Sequence, residues 1–159
     1  MKDFSSVVLV AALALLLGGC RKDAARLAAD APGITALCKG GTLAACPRDA
    51  RLIFRVNGLS GQFFLSAFTE NTASGEVLWI APGPDDDPSP VTVRAGEQVL
   101  TQVVPVQMLT EGNYRVHAML TREPPTRQEV LTAKITSAAT STVALTVTKK
   151  TRRTHSVFE

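Results

Sequence analysis

Rings and histidines are scarce in this chain: six Phe, one Trp, one Tyr and two His among 159 residues. With so few large aromatics, a core has to be assembled mainly from Val, Leu and Ala. Two histidines, His117 and His155, leave no material for a histidine-rich metal centre, and no metal or cofactor is expected. Charge of one sign is also lacking, because 17 Lys and Arg stand against 14 Asp and Glu. The net charge of +3 is smaller than the cluster Lys149, Lys150, Arg152 and Arg153, so the body is near neutral. This basic tail, residues 149–159, reads as a solvated C-terminus, with anionic headgroups or phosphates as its alternative contacts. Apolar runs are short as well. The strongest, residues 7–17, would make a helix about 16 Å long, well under the ~30 Å hydrocarbon core, so a permanent transmembrane helix is disfavoured there.

What that run does have is the layout of a signal peptide: Lys2 ahead of it, small residues after it, and Arg21-Lys22 bounding it. The tetrad Leu17-Gly18-Gly19-Cys20 resembles the lipobox of bacterial lipoproteins. A thiol can carry a diacylglycerol as a thioether, and small side chains before it let a peptidase approach the backbone. The resemblance implies removal of residues 1–19 and lipidation of Cys20, which anchors the chain to a membrane. Each buried methylene contributes about 0.8 kcal/mol, so two or three acyl chains hold a protein on a bilayer without appreciable exchange. Arg21 stands where an aspartate would resemble an inner-membrane retention signal, which favours the outer membrane, facing the periplasm or the cell surface. In an exported protein nucleic acid is not an expected partner.

With Cys20 committed to lipid, Cys38 and Cys46 remain as an even pair in an oxidising compartment, and a disulfide between them is expected, two free thiols being the alternative. Gly40-Gly41 supplies the turn so short a ring needs. A redox pair would more often be spaced Cys-x-x-Cys. Residues 20–47 are accordingly read as a lipidated tether with a disulfide loop, helix-prone over 21–30 until Pro32-Gly33.

From residue 48 to 148 the period is mostly two. Leu52, Phe54 and Val56 alternate with Arg51, Ile53 and Arg55 before Asn57-Gly58. Residues 62–69 carry Phe63, Leu65 and Ala67 on one face and Phe64, Ser66 and Phe68 on the other, a strand covered on both sides. Ser74-Gly75 turns it into 76–80 as a hairpin. Residues 82–90, with four prolines and three adjacent aspartates, form a surface loop. Further strands are expected at 91–94 (an edge), 97–106, 114–120 and 141–148. Thr126-Arg127-Gln128-Glu129 has capping-box spacing and predicts a short helix over 127–133. Six or seven short strands and one short helix make an all-β chain, an antiparallel β-sandwich.

The segments 51–56, 61–65, 75–82, 93–97, 111–116 and 120–124, in that order, are similar to domain of unknown function four-three-eight-four, an envelope domain seen in bacterial lipoproteins and beside signalling modules. The similarity covers about residues 49–124. It implies a β-sandwich and no known catalytic residues.

A search for chemistry finds little. Gly58-Leu59-Ser60-Gly61 is not a nucleophile elbow, and Lys39-Gly40-Gly41-Thr42 lacks the first glycine of a P-loop and a strand feeding it. Asp85, Asp86 and Asp87 could gather around Ca²⁺, but adjacent acids among prolines more often form a soluble loop. Alternation puts His117 opposite the Tyr114 and Val116 face, facing solvent or an edge. Trp79, Phe63, Phe64 and Phe68 are core or a recognition patch. The expectation is a non-catalytic interaction or assembly module with a protein partner in the envelope, held to the membrane through Cys20. The alternative is a small-ligand or glycan-binding sensor using Trp79 and the acidic loop.

Overall fold

The computed structural model describes residues 32–83, 86–88 and 90–149. The leader, Cys20, the expected tether helix, Asp85, His155 and the tail from Lys150 onward lie outside the described residues.

Alternating apolar residues give strands that bury one face, and two such faces must close on each other. The strands are β1 (Gly33–Lys39), β2 (Cys46–Pro47), β3 (Arg51–Asn57), β4 (Gly61–Asn71), β5 (Val77–Ala81), β6 (Pro90–Val93), β7 (Gln98–Pro105), β8 (Gly112–Thr121) and β9 (Ala139–Thr148). A 3-10 turn spans Val106–Met108, and helix α1 spans Arg127–Leu131. One sheet has the order β1-β3-β7. The other runs β2-β9-β8-β4-β5, with β6 also on β4. Except for the short parallel β2–β9 contact, all pairs are antiparallel. The β-sandwich read from the sequence is therefore the fold.

Its first strand was not foreseen. The sandwich begins at Gly33, inside the stretch assigned to the tether, and not near Arg48. β1 pairs with β3 along its whole length, from Gly33 opposite Asn57 to Lys39 opposite Arg51. Its inward positions are Ile34, Ala36 and Cys38, of which alanine is a poor strand former, and Pro32-Gly33 ahead of them reads as a break. Pairing along a whole neighbouring strand overrides that weak local signal.

Between the sheets lie Ile34 and Ala36 from β1, Leu52, Phe54 and Val56 from β3, Phe63, Leu65 and Ala67 from β4, Tyr114, Val116, Ala118 and Leu120 from β8, and Leu145 and Val147 from β9. Leu52, Phe54, Val56, Phe63 and Leu120 are fully buried. Each large apolar side chain so placed contributes roughly 1.5–3 kcal/mol of transfer free energy. At the start of β8 the Tyr114 hydroxyl donates to the Thr110 carbonyl oxygen at 3.1 Å and lies 2.8 Å from Thr110 Oγ1. This bond back to the preceding backbone resembles the tyrosine corner of Greek-key sandwiches.

Cys38 and Cys46 are joined, with Cα atoms 5.9 Å apart. The bond does more than tie down the chain before the domain. Cys38 belongs to the three-stranded sheet and Cys46 to the six-stranded one, so the bridge crosses the sandwich. The turn between them needs glycine: a Cβ on Gly41 would stand 2.8 Å from the Ala45 carbonyl oxygen and 2.6 Å from Pro47 Cδ.

α1 has the capping box its sequence announced. The Thr126 hydroxyl accepts from the Glu129 amide, and the Glu129 carboxylate accepts from the Thr126 amide at 2.8 Å and the Thr126 hydroxyl at 2.7 Å. The backbone bond first, and the hydroxyl second, hold the Glu129 carboxyl below its ordinary value of 4.5. A depressed folded-state value means that the carboxylate contributes stability above the unfolded value and loses it as pH falls through the folded one. Amide protection in α1 is therefore expected to decline below pH 4.5 before that of β8, as read by hydrogen exchange. Glu129→Gln should abolish that acid dependence; an unchanged profile in the variant would assign it elsewhere.

Candidate functional site

β4 is long enough to hold two short strands on one edge. Its Ala67–Glu70 portion pairs with β5, and its Gly61–Phe64 portion with β6. The chain leaves this edge after Ala81 and rejoins it at Pro90, so Pro82, Gly83, Asp86, Asp87 and Pro88 lie off the sheet where β4 passes Leu65 and Ser66. That places the acidic, proline-rich loop at a gap in the ladder.

Arg127, the first residue of α1, closes on this loop. Its Nη2 donates to the Gly83 carbonyl oxygen at 2.7 Å, and its guanidinium lies 5.5 Å from the Trp79 ring centre. The same carbonyl accepts from the Asp86 amide at 3.2 Å, and Asp86 Oδ2 packs where a Cβ on Gly83 would stand. An open cleft of about 440 Å³ results, walled by Trp79, Pro82, Asp86, Asp87, Pro125 and Arg127. Trp79, Asp86 and Asp87, named from the sequence, are thus brought together; Arg127, which joins them, carried no sequence signal beyond its place in the capping box. Arg127→Ala removes a charge-assisted hydrogen bond and a cation–π contact, about 1–2 kcal/mol together. Because Trp79 is the only tryptophan, its emission should shift to longer wavelength and amide exchange at Asp86 and Asp87 should quicken.

Beside the loop a second open cleft of about 470 Å³ lies between β5 and β7, lined by Leu65, Ile80, Val91, Gln102 and Val103 together with Asp86 and Asp87. Gln102 Oε1 is buried there without a hydrogen-bond partner.

The outer face of the six-stranded sheet carries a cross-strand row in one register: Trp79 on β5, Phe68 on β4, His117 on β8 and Thr142 on β9. His117 is on the outer face, as alternation placed it, but in mid-sheet rather than at an edge, and half-buried. Its ring stacks on Phe68, with centroids 4.5 Å apart and planes 13° from parallel. Nδ1 lies 3.1 Å from Thr142 Oγ1, and Nε2 lies 3.5 Å from Glu70 Oε2, without the alignment of a hydrogen bond. Phe68 and Trp79 are 5.4 Å apart and tilted by 46°. Phe63 belongs to the core, whereas Phe64, Phe68 and Trp79 are half-buried on the outer face, so the four aromatics divide between the two roles considered for them.

A third, more apolar groove of about 400 Å³ lies on the other side of α1, lined by Phe68, Val77, His117, Leu131 and Thr142. Val130 of α1 borders both outer grooves and stands over the buried Ser66. Val77 and Leu131 are 40% and 47% exposed, unusual for large apolar groups beside one groove. Among the described residues no three His, Cys, Asp or Glu side chains converge as metal ligands, and no helix is long and apolar enough to cross a membrane.

No protein-family model and no curated protein matches this chain.

Proposed function

We propose that the protein is a lipid-anchored, non-catalytic interaction module of the bacterial envelope, binding a protein partner across the α1-bearing face of its six-stranded sheet. The observation that carries this reading is the pair of open grooves flanking α1, with Val77 and Leu131 exposed beside one and Asp86, Asp87 and Arg127 around the other. Open grooves with an apolar centre and charged margins suit a polypeptide surface better than an enclosed metabolite. The anchor rests on Leu17-Gly18-Gly19-Cys20.

Crosslinking in living cells, followed by purification in mild detergent, is expected to yield one dominant partner. Val77→Asp with Leu131→Asp should remove it without unfolding the domain. A clean monomer with no crosslinks overturns the reading. Mass spectrometry should find Cys20 acylated, and Cys20→Ser should move the protein out of the membrane fraction.

A second reading, a small-ligand sensor, is favoured by the convergence of Trp79, Asp86 and Asp87 on one cleft. Titration of sugars and Ca²⁺ against Trp79 fluorescence separates the two: saturable change supports the sensor.

A further inference from the structure

The three-stranded sheet has an outer face that no other described element covers, and its register sorts that face into rows. Leu37, Ile53 and Val103 lie side by side across β1, β3 and β7. On one side runs the row Lys39, Arg51 and Pro105; on the other run Thr35, Arg55 and Val99. Val99 and Val103 are 49% and 43% exposed. Glu97 is the carboxylate seen on this face, 3.7 Å from Arg55 and itself mostly exposed. The face is therefore an apolar band edged by Lys39, Arg51 and Arg55, with Glu97 beside Arg55 and the carboxylates of Asp86 and Asp87 bordering the cleft at Val103.

We propose that this face rests on an anionic lipid surface. Apolar side chains at the headgroup boundary, with basic residues around them, are what peripheral membrane surfaces present. The position of the anchor agrees. Only residues 21–32 separate Cys20 from β1, an edge strand of this sheet, so the face starts within about 40 Å of the lipid, and closer if the segment is not fully extended. In this arrangement the α1-bearing face of the other sheet points away from the bilayer, toward partners. Each basic residue near an anionic surface raises affinity about fivefold, so Lys39, Arg51 and Arg55 together supply about a hundredfold, less the offset from Glu97. The contribution is screened by salt over a Debye length of about 10 Å at 0.1 M.

The proposal rests on the membrane-anchor reading, and its test is made without the lipid. The chain from residue 20 onward, carrying Cys20→Ser, is mixed with vesicles of phosphatidylcholine alone or with phosphatidylglycerol, and binding is read by co-sedimentation. Binding to the anionic vesicles only is expected, with about a twenty-five-fold loss in Arg51→Gln with Arg55→Gln. Lys150→Ser with Arg152→Ser and Arg153→Ser should retain most of the binding. Absence of binding to anionic vesicles overturns the proposal. So does binding that is lost with the tail residues but indifferent to Arg51 and Arg55, or self-association through Val99 and Val103 in the analytical ultracentrifuge. An unacylated Cys20 in cells would instead defeat the anchor reading, whatever the vesicles show.

Discussion

Phe54→Ala is expected to lower the unfolding free energy by about 3–5 kcal/mol, the range found when a fully buried Phe is truncated and its cavity persists. Phe54 is at the middle of β3, the central strand of the smaller sheet, and is entirely inaccessible to solvent. On one side its register partner is Ala36, too small to fill the space left behind. On the other, the pairing of β3 with β7 shifts between Ile53 and Arg55, so no regular neighbour stands opposite it. A domain of this size has about 5–15 kcal/mol in all, so the variant should be near the limit of folding. With a urea slope of about 2 kcal/mol per molar, the midpoint should drop by roughly 2 M. A change under about 1 kcal/mol would show that the sheets close onto the gap, and that the core is less rigid than its burial implies.

Replacing both Cys38 and Cys46 by Ser should cost about 2–3 kcal/mol. The bond closes a ring with a sequence separation of eight, and the chain-entropy relation gives that figure for so short a loop. Location adds to it. β2 is only two residues long and parallel to β9, so the bond shares the crossing between the sheets with a few backbone hydrogen bonds, among them Thr146 to Leu43 and Arg48 to Thr148. Cys46 itself is fully buried, and a serine hydroxyl there would need a partner. Thermal unfolding with and without reductant should separate the wild type from the double variant, and reductant should bring the two curves together.

Much of the fold was legible because its strands alternate cleanly. In β3 the order Arg51-Leu52-Ile53-Phe54-Arg55-Val56 states both the strand and its inner face, and Ser74-Gly75 states the hairpin that joins β4 to β5. There the Asn71 side chain accepts from the amides of Ala73 and Ser74, and Gly75 takes a positive φ of 71°. The expected two-sided cover of β4 is also present: Phe63, Leu65 and Ala67 are buried inward, and Ser66 is buried outward beneath α1. β1 was not legible, because alanine and a preceding Pro-Gly mute its period. Pairing is a property of the partner strand, and no local pattern reports it. For the same reason the candidate site was visible only in pieces. Trp79 and the aspartates can be named from the sequence, but the Arg127 contact depends on a helix 44 residues away from Gly83 in the chain. His117 was read as outward-facing from alternation, which is correct for the face and silent on the Phe68 ring stacked against it.

The split edge of β4 has a bearing on how the protein behaves when crowded. Pro82, Pro88 and Pro90 lack amide hydrogens, and carboxylates of Asp86 and Asp87 stand beside them, so a foreign strand cannot continue the ladder through the gap between β5 and β6. At the opposite side β2 covers the Val147–Thr148 end of β9, and one of its two residues is Pro47. When copies meet at high concentration, the proline-bearing places at both margins of the larger sheet resist the addition of a further strand.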